Sequence, residues 1–597
     1  MVRSIDGCWT CRLRRKKCDE ERPICQLCSS LHITCHYDKE KPVWMDGGDK
    51  QAEMAKQLRR ELRDMTPFRR RRFSHSNKED ESESRTGVSK SESQVFAMRP
   101  AILHRDIQHP RQSDEGGSLG IFSRFPAWHK QSNPLEGTPA HPEIAELDRG
   151  LIMYYFDYFF PLLFPLYRPP LSEGGRSWML DMVMQSQTMQ QTTLCLSTYF
   201  FSLALETASS DHEACKVHAW KKLLESSNNA FRVLKGELKT LNHSNIQDHL
   251  PEAVRIIGGI MQLQRFEITA CCFENCQAHL GAALALFQLI LEGTTVTKPS
   301  MLLSNFSAVM YKLRRSSWNW AVENIRVPSV DQAAFRFFST LLIVDDIIAS
   351  TALEKIPTLY KYHSSLLLGC GSSTSHEESP INIEAILGCQ NWVMIQIGEI
   401  AALDAWKKNR RKTGELDITE LAVRAKGIQD TLEGHLVLLR AASTTVPSNV
   451  GSAADIFTSY NNQPLTSDNE RAFVTRVWAH AAIVYLSIVV SGWQTSNANV
   501  RHHVKSTIDL LVHPGTSPAL LRTLVWPFCV AGCLAERAEE SMLRDIVNGL
   551  RPPSVFGTMR KAIEIMENVW QTRETLDVGT WDLAAAIRSL GHFLLLV

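Results

Sequence analysis

Residues Gly7 to Cys35 read GCWTCRLRRKKCDEERPICQLCSSLHITC and contain Cys8, Cys11, Cys18, Cys25, Cys28 and Cys35. The gaps between successive cysteines are two, six, six, two and six residues. The unit Cys-x2-Cys-x6-Cys therefore occurs twice, joined by a six-residue gap. A Cys-x2-Cys pair is the usual chelating knuckle of a structural zinc site. Two tetrahedral ions need eight ligand positions, and six thiolates fill eight only where two of them bridge both metals. Each half supplies three cysteines, so one bridging sulfur from each half completes the count.

A segment this short cannot bury enough apolar surface to hold a fold alone, so metal binding has to supply the folding free energy. Two Zn²⁺ and six thiolates leave a net negative charge, which favours cations packed between the ligands. Arg12, Arg14, Arg15, Lys16 and Lys17 fill all but one position between Cys11 and Cys18. That is more charge than neutralisation requires. It predicts a short cationic helix suited to phosphates and guanine edges.

The stretch resembles the binuclear six-cysteine zinc cluster of fungal transcription factors. That family's run Cys-Arg-x-Arg-Arg-x-Lys-Cys-Asp is matched by Cys11, Arg12, Arg14, Arg15, Lys17, Cys18 and Asp19. Pro23 fills the family's proline position two residues before the fourth cysteine. The resemblance implies two Zn²⁺ ions. One takes Cys8, Cys11, Cys18 and Cys25, the other Cys8, Cys25, Cys28 and Cys35, so that Cys8 and Cys25 bridge. It also implies double-stranded DNA as partner, with basic residues at the places of Arg14 and Arg15 reading a CGG-type triplet. Many family members carry lysine there; arginine can donate a bidentate pair to guanine O6 and N7. Arg12, Arg14, Arg15, Lys16 and Lys17 form the expected DNA-binding set.

Other readings of the cysteines fit less well. A disulfide scaffold belongs to an oxidising compartment, and MVRSIDGCWTC has no apolar signal-peptide core. A cross-braced finger needs eight ligands and a long gap after its first pair. Only His32 and His36 could complete that count.

The chain has 597 residues, too many for one compact core by the usual size of domains. Residues 1–72 carry 18 Lys+Arg against 11 Asp+Glu, a net of +7. The remainder carries 47 against 53, a net of −6. A basic head on a slightly acidic body suits an N-terminal nucleic-acid reader. Fifteen cysteines, nine of them scattered beyond the head, predict a reducing compartment. The sequence shows no apolar run long enough to span a bilayer, and no membrane is expected as partner. The best candidate, Leu151 to Tyr167, is interrupted by Asp157, Pro161 and Pro165 and predicts a buried helix ending near Phe160.

Four regions are expected: the cluster at 1–48, a basic helix at 49–73, a disordered linker at 74–142 and an all-α body at 143–597. In the connector, Trp44 to Gly48 match a Trp-Met-Asp-Gly-Gly run that the resembled family often carries. Met54, Leu58, Leu62 and Met65 share one side of the following helix. A heptad frame on Leu58 and Met65 gives under two good heptads, short of a stable coiled coil, so a homodimer stays open. Arg69 to Arg72 suit a nuclear-import signal or contacts to flanking DNA. The linker is rich in Ser, Glu, Gly and Pro and lacks periodicity.

The body is helical in pattern. Met559, Ile563, Met566 and Trp570 follow the spacing of a helix packed on a core. Ile383 to Trp406 and Ala472 to Ser491 are similarly long and apolar. Stretches at Tyr155–Tyr167, Phe266–Leu284, Gly388–Trp406, Trp526–Cys533 and Phe556–Trp570 resemble the second type of fungal-specific transcription factor domain.

Two further groups of residues bear on function. Cys272, Cys276 and His279 follow i, i+4, i+7 spacing beside Cys271; burial in the core is the expected reading, since a fourth metal ligand is lacking. Asp345-Asp346 resembles part of the aspartate-rich magnesium motif of terpene cyclases, but Ala349 stands where a third acid is needed. The pair reads as ordinary acids at a helix surface. No phosphate loop, nucleophile elbow or zincin helix occurs, so no enzyme is expected.

The expected protein is a nuclear, sequence-specific regulator of transcription by RNA polymerase II that engages the transcription machinery. The resemblance further implies a pathway-specific regulator of a metabolite gene cluster. The alternative is a ligand-sensing or partner-docking helical body with the zinc cluster mainly as a tether.

Overall fold

The computed structural model describes residues 7–14, 16, 18, 20, 25, 28, 35–37, 42, 44–46, 48, 50–51, 54–56 and 58, and residues 146–597 apart from 171–173, 207–212, 243–244, 294–304, 315–327, 369–379, 443–467, 514–516, 552 and 577–580. Arg15, Lys17, Asp19, Pro23, the Arg69–Arg72 run and the 74–142 linker lie outside the described residues. The chain divides into two units, Met1–Ala97 and Met98–Val597, here called the head and the body. Among the described residues both contain helices and no strand.

In the head, the first cysteine half forms the short helix Trp9–Leu13. Cys8 caps it, its Sγ accepting from the Cys11 N–H. Of the second half, Cys28 is described and is helical. Residues 50, 51, 54–56 and 58 are helical as well. Asp46 Oδ1 accepts from Gly48 N–H at 2.8 Å and from Gln51 N–H at 3.2 Å, which starts that second helical stretch. Leu58 is 3% exposed and shares the core of the cysteines. The side chain placed at the centre of a coiled-coil frame is thus used inside the head.

The body is built from long helices whose apolar faces meet in one core. Leu250–Thr269 packs on Gln187–Glu206, Cys276–Gly293 and Val330–Leu353. Asp468–Ser491 packs on Asn391–Thr413, Ile418–Ala442, Ala498–Leu511 and Val525–Cys533. Val330–Leu353 also meets Asn391–Thr413, and so joins the two groups. At the centre, the indoles of Trp478 and Trp526 stack with centroids 5.4 Å apart and planes 8° apart.

Four sequence expectations change here. The first body helix does not stop at Phe160. It runs through Glu146–Tyr154, widens into a π turn at Tyr155–Phe159 and continues to Leu163. Pro161 removes one helical N–H, and the widened turn just before it accommodates that loss. The Ile383–Trp406 stretch is broken at Gly388, which has φ +74°; a Cβ there would lie 2.3 Å from Leu166 Cδ1. The long helix begins afterwards, at Asn391. Asn469–Ser491 is long and apolar enough to cross a membrane by composition, contrary to the reading that no run qualifies. Most of it is buried inside the body, where that apolar surface is already covered. Asp345 and Asp346 are buried rather than on a helix surface, with 0% and 4% exposure. The predicted stripe on Gly557–Thr572 does form: Met559, Met566 and Trp570 are buried, with Ile563 at its margin.

Candidate metal centre and nucleic-acid interface

The cysteines that are distant in sequence come together. Sγ atoms of Cys8, Cys11, Cys18 and Cys25 lie within 4.8 Å of one another, and so do those of Cys8, Cys25, Cys28 and Cys35. The two groups share Cys8 and Cys25, whose sulfurs are 3.8 Å apart. Cys11 Sγ lies 3.6 Å from Cys25 Sγ and 3.8 Å from Cys28 Sγ. All but Cys35 are buried.

The donor set fits metal on chemical grounds. Burial pushes the Cys11 thiol up to about 12 and carries Cys8 and Cys28 above the ordinary thiol range. At Cys25 burial also acts upward, but the Cys28 N–H and the surrounding thiols outweigh it and bring the group down to about 7. Sulfurs so crowded cannot all lose protons unless cations sit among them. Zinc meets that demand because it binds thiolates and displaces their protons.

Second contacts orient the ligands. Cys8 N–H points at Cys18 Sγ at 3.4 Å, and Cys28 N–H at Cys25 Sγ at 3.4 Å. Tyr37 Oη lies 3.3 Å from Cys18 Sγ. Burial and that sulfur push the Tyr37 phenol above its ordinary range, so it stays a donor to the thiolate. Trp9 N–H donates to His36 O at 2.7 Å, and His36 N–H to Thr10 Oγ1 at 3.1 Å. This reciprocal pair ties the first helix to the chain beyond Cys35. Thr10, Tyr37 and Leu58 were missed by sequence reasoning. The position of Thr10 between the ligands Cys8 and Cys11 is the one local sign.

The cationic run splits by exposure. Arg12 and Lys16 are exposed, and the Arg12 guanidinium lies 4.6 Å from the Trp9 ring centroid. Arg14 is half-buried, caps the helix Trp9–Leu13, and keeps Nη1 buried without a hydrogen-bond partner. Arg15 and Lys17 lie outside the described residues.

Comparison with known proteins matches residues 6–42 to the fungal Zn(2)-Cys(6) binuclear cluster domain and residues 150–597 to the fungal specific transcription factor domain. The chain is a fungal zinc-cluster transcription factor. The cluster domain of this family binds two zinc ions. Among its relatives is Transcription factor dibT of Pestalotiopsis microspora, 34% identical with 99% of each chain covered. The Pestheic acid cluster transcriptional regulator 3 of Pestalotiopsis fici is 27% identical, with 97% of each covered. The ustiloxin B cluster transcription factor ustR of Aspergillus flavus is 26% identical over 95% of this chain and 93% of its own. No solved structure matches.

The other candidate groups have structural roles. Cys271 and Cys272 do not share a helix with His279. They lie in the turn after Leu250–Thr269, and the next long helix starts at Cys276. Cys276 and His279 are fully buried, and His279 Nδ1 lies 2.8 Å from Glu267 Oε2. Asp345 pairs with Arg265 Nη2 at 2.7 Å, and Asp346 Oδ2 accepts from Leu359 N–H at 2.8 Å. Burial pushes the Asp345 carboxyl up to about 6 despite the opposing pull of that arginine. Both acids are engaged inside the helical packing.

Proposed function

We propose that this transcription factor is nuclear and controls one biosynthetic gene cluster by binding DNA sites with CGG-type triplets through its head. The observation that carries the reading is the pair of four-thiol groups sharing Cys8 and Cys25 beside the helix Trp9–Leu13, which holds Arg12 and is capped by Arg14, with the expected cationic helix stopping short of Lys16. Cys8, Cys11, Cys18 and Cys25 hold one zinc, and Cys8, Cys25, Cys28 and Cys35 the other. Arg12 and Lys16 meet DNA phosphates, while Arg14 and Arg15 read guanine edges and Lys17 adds charge. The zinc domain spans 1–48 and is buttressed by Leu58 from the basic 49–73 region. Residues 74–142 act as linker and 143–597 as the regulatory body, which contacts the transcription machinery and carries no enzyme activity. A homodimer would use a surface other than the Leu58–Met65 seam. The names of the relatives support the assignment to a biosynthetic cluster.

Selection of random DNA by the zinc-loaded full chain, followed by a map of genomic occupancy, tests this. The expected result is enrichment of CGG-type triplets and occupancy confined to promoters of neighbouring biosynthetic genes. Arg14→Ala or Arg15→Ala should cost roughly 1–3 kcal/mol on selected sites and relax triplet preference. Equal losses on selected and random DNA would remove the base-reading role.

A further inference from the structure

A cavity of about 70 Å³ lies in the body where Asn391–Thr413, Asp468–Ser491 and residues 581–584 meet. Two of the donors lining it have no acceptor. Tyr485 Oη and Trp581 Nε1 are both buried without a hydrogen-bond partner, and Tyr485 is 2% exposed. Buried polar groups are almost always satisfied, so each such atom calls for an explanation.

A third donor is only partly satisfied. Lys407 Nζ donates to Val489 O, which leaves further N–H groups on the same ammonium. The nearby carboxylates are engaged by its neighbour instead. Lys408 Nζ lies 2.7 Å from Asp404 Oδ2, 2.8 Å from Glu354 Oε1 and 2.6 Å from Asp582 Oδ2. Arg588 takes the other oxygen of Glu354 at 3.1 Å. The cavity wall holds the cations Lys407, Lys408 and Arg411 and the acids Asp404 and Asp582, both of which bind Lys408. Burial pushes Lys407 below the ordinary lysine range, and the pull of Asp404 and Asp582 in the other direction does not offset it. Water could accept from the two unpartnered donors, but it brings no negative charge to the Lys407 ammonium, whose one acceptor here is a carbonyl. The remaining wall is apolar, formed by Ile488, Val489 and Leu583.

We propose that this cavity is an effector site for a small organic carboxylate, whose oxygens accept from Lys407 Nζ, Tyr485 Oη and Trp581 Nε1. Its short carbon chain lies on Ile488 and Leu583. The ligand bridges the core helix Asp468–Ser491 to the segment that begins at Trp581. Binding therefore stabilises the packing of the last helix, Leu583–Arg588, on the rest of the body.

The test uses zinc-loaded full-length protein and follows thermal melting by far-UV circular dichroism. Acetate, propionate and butyrate are titrated at constant ionic strength, with chloride and inorganic phosphate as controls. The melting temperature of the body is expected to rise with carboxylate concentration and not with chloride. The rise is expected to vanish in Lys407→Met and to shrink in Tyr485→Phe. Tyr485→Phe removes one oxygen and keeps the ring, so the test survives if Lys407→Met does not fold. No rise above chloride, or an undiminished rise in the variants, overturns the site. An equal rise with phosphate overturns the carboxylate assignment. DNA binding does not enter this readout, so its outcome is separate from that of the triplet selection.

Discussion

The head and the body answer the problem of burial in opposite ways. In the head the buried groups are mostly the metal-binding thiols themselves, and Leu58 is the one fully apolar side chain among the described residues of that core. In the body the core is made of large apolar side chains such as Trp526, Tyr155 and Phe287. Several polar groups inside it find partners far along the chain. Arg265 meets Asp345, and Trp526 Nε1 donates to Thr351 Oγ1 at 3.1 Å across 175 positions. The difference teaches that the head depends on an external ion and the body on its own packing, so they should fail separately.

Removing zinc sharpens that contrast most. Chelation or Cys25→Ser should unfold the head and abolish DNA binding, because about 10–16 kcal/mol of metal binding is its folding energy. The body's melting should not move. Elemental analysis is expected to find two zinc ions per chain, none in Cys8→Ser or Cys25→Ser, and one in Cys35→Ser. One ion in the unaltered protein would rule out the bridged cluster.

The reverse lesion is Arg265→Met. It leaves Asp345 buried without its cation and should cost the body about 3–5 kcal/mol in urea unfolding. Zinc content should be unchanged. Loss of zinc in this variant would break the comparison.

Within the body, acid gives a smaller effect. Burial holds His363 neutral, lowering it from 6.5 to about 4. Its folded value lies below its unfolded one, so its contribution is present above 6.5 and is lost as pH falls from 6.5 towards 4. The full loss is roughly 3 kcal/mol. His363→Phe should flatten the fall in melting temperature over that window relative to the unaltered protein. Parallel pH profiles would remove His363 as a cause. The smallest expected effect is Leu58→Ala, which should cost the head about 2 kcal/mol. Competition with a chelator measures it, and an unchanged competition curve would show that Leu58 gives the cluster no support.

The same division explains what could be read in advance. The cluster was legible because its ligands sit at fixed short spacings. The helical class of the body was legible because apolar periodicity repeats through it, as at Met559, Met566 and Trp570. Partners across long separations were not legible. Nothing near Asp345 in sequence announces Arg265, so the acid pair read as a surface feature. Nothing near His279 announces Glu267 as the group it meets. Gly388 looked like one residue in an apolar run until Leu166 was found against its Cα. Leu58 fitted a heptad frame, and only the folded head shows it turned inward.

The stacked indoles of Trp478 and Trp526 have an optical consequence. Both are buried, and Trp526 is fully enclosed beside the ring of Tyr485. Their emission should lie at the blue edge of the tryptophan band and shift red only when the body opens. Trp9 and Trp44 in the head are half-buried, with Arg12 over one ring and His36 against the other. Their emission should lie to the red and change when zinc leaves. Half-buried indoles of the body, Trp392, Trp406 and Trp581 among them, also emit to the red, so the blue edge follows the body and the change on chelation follows the head.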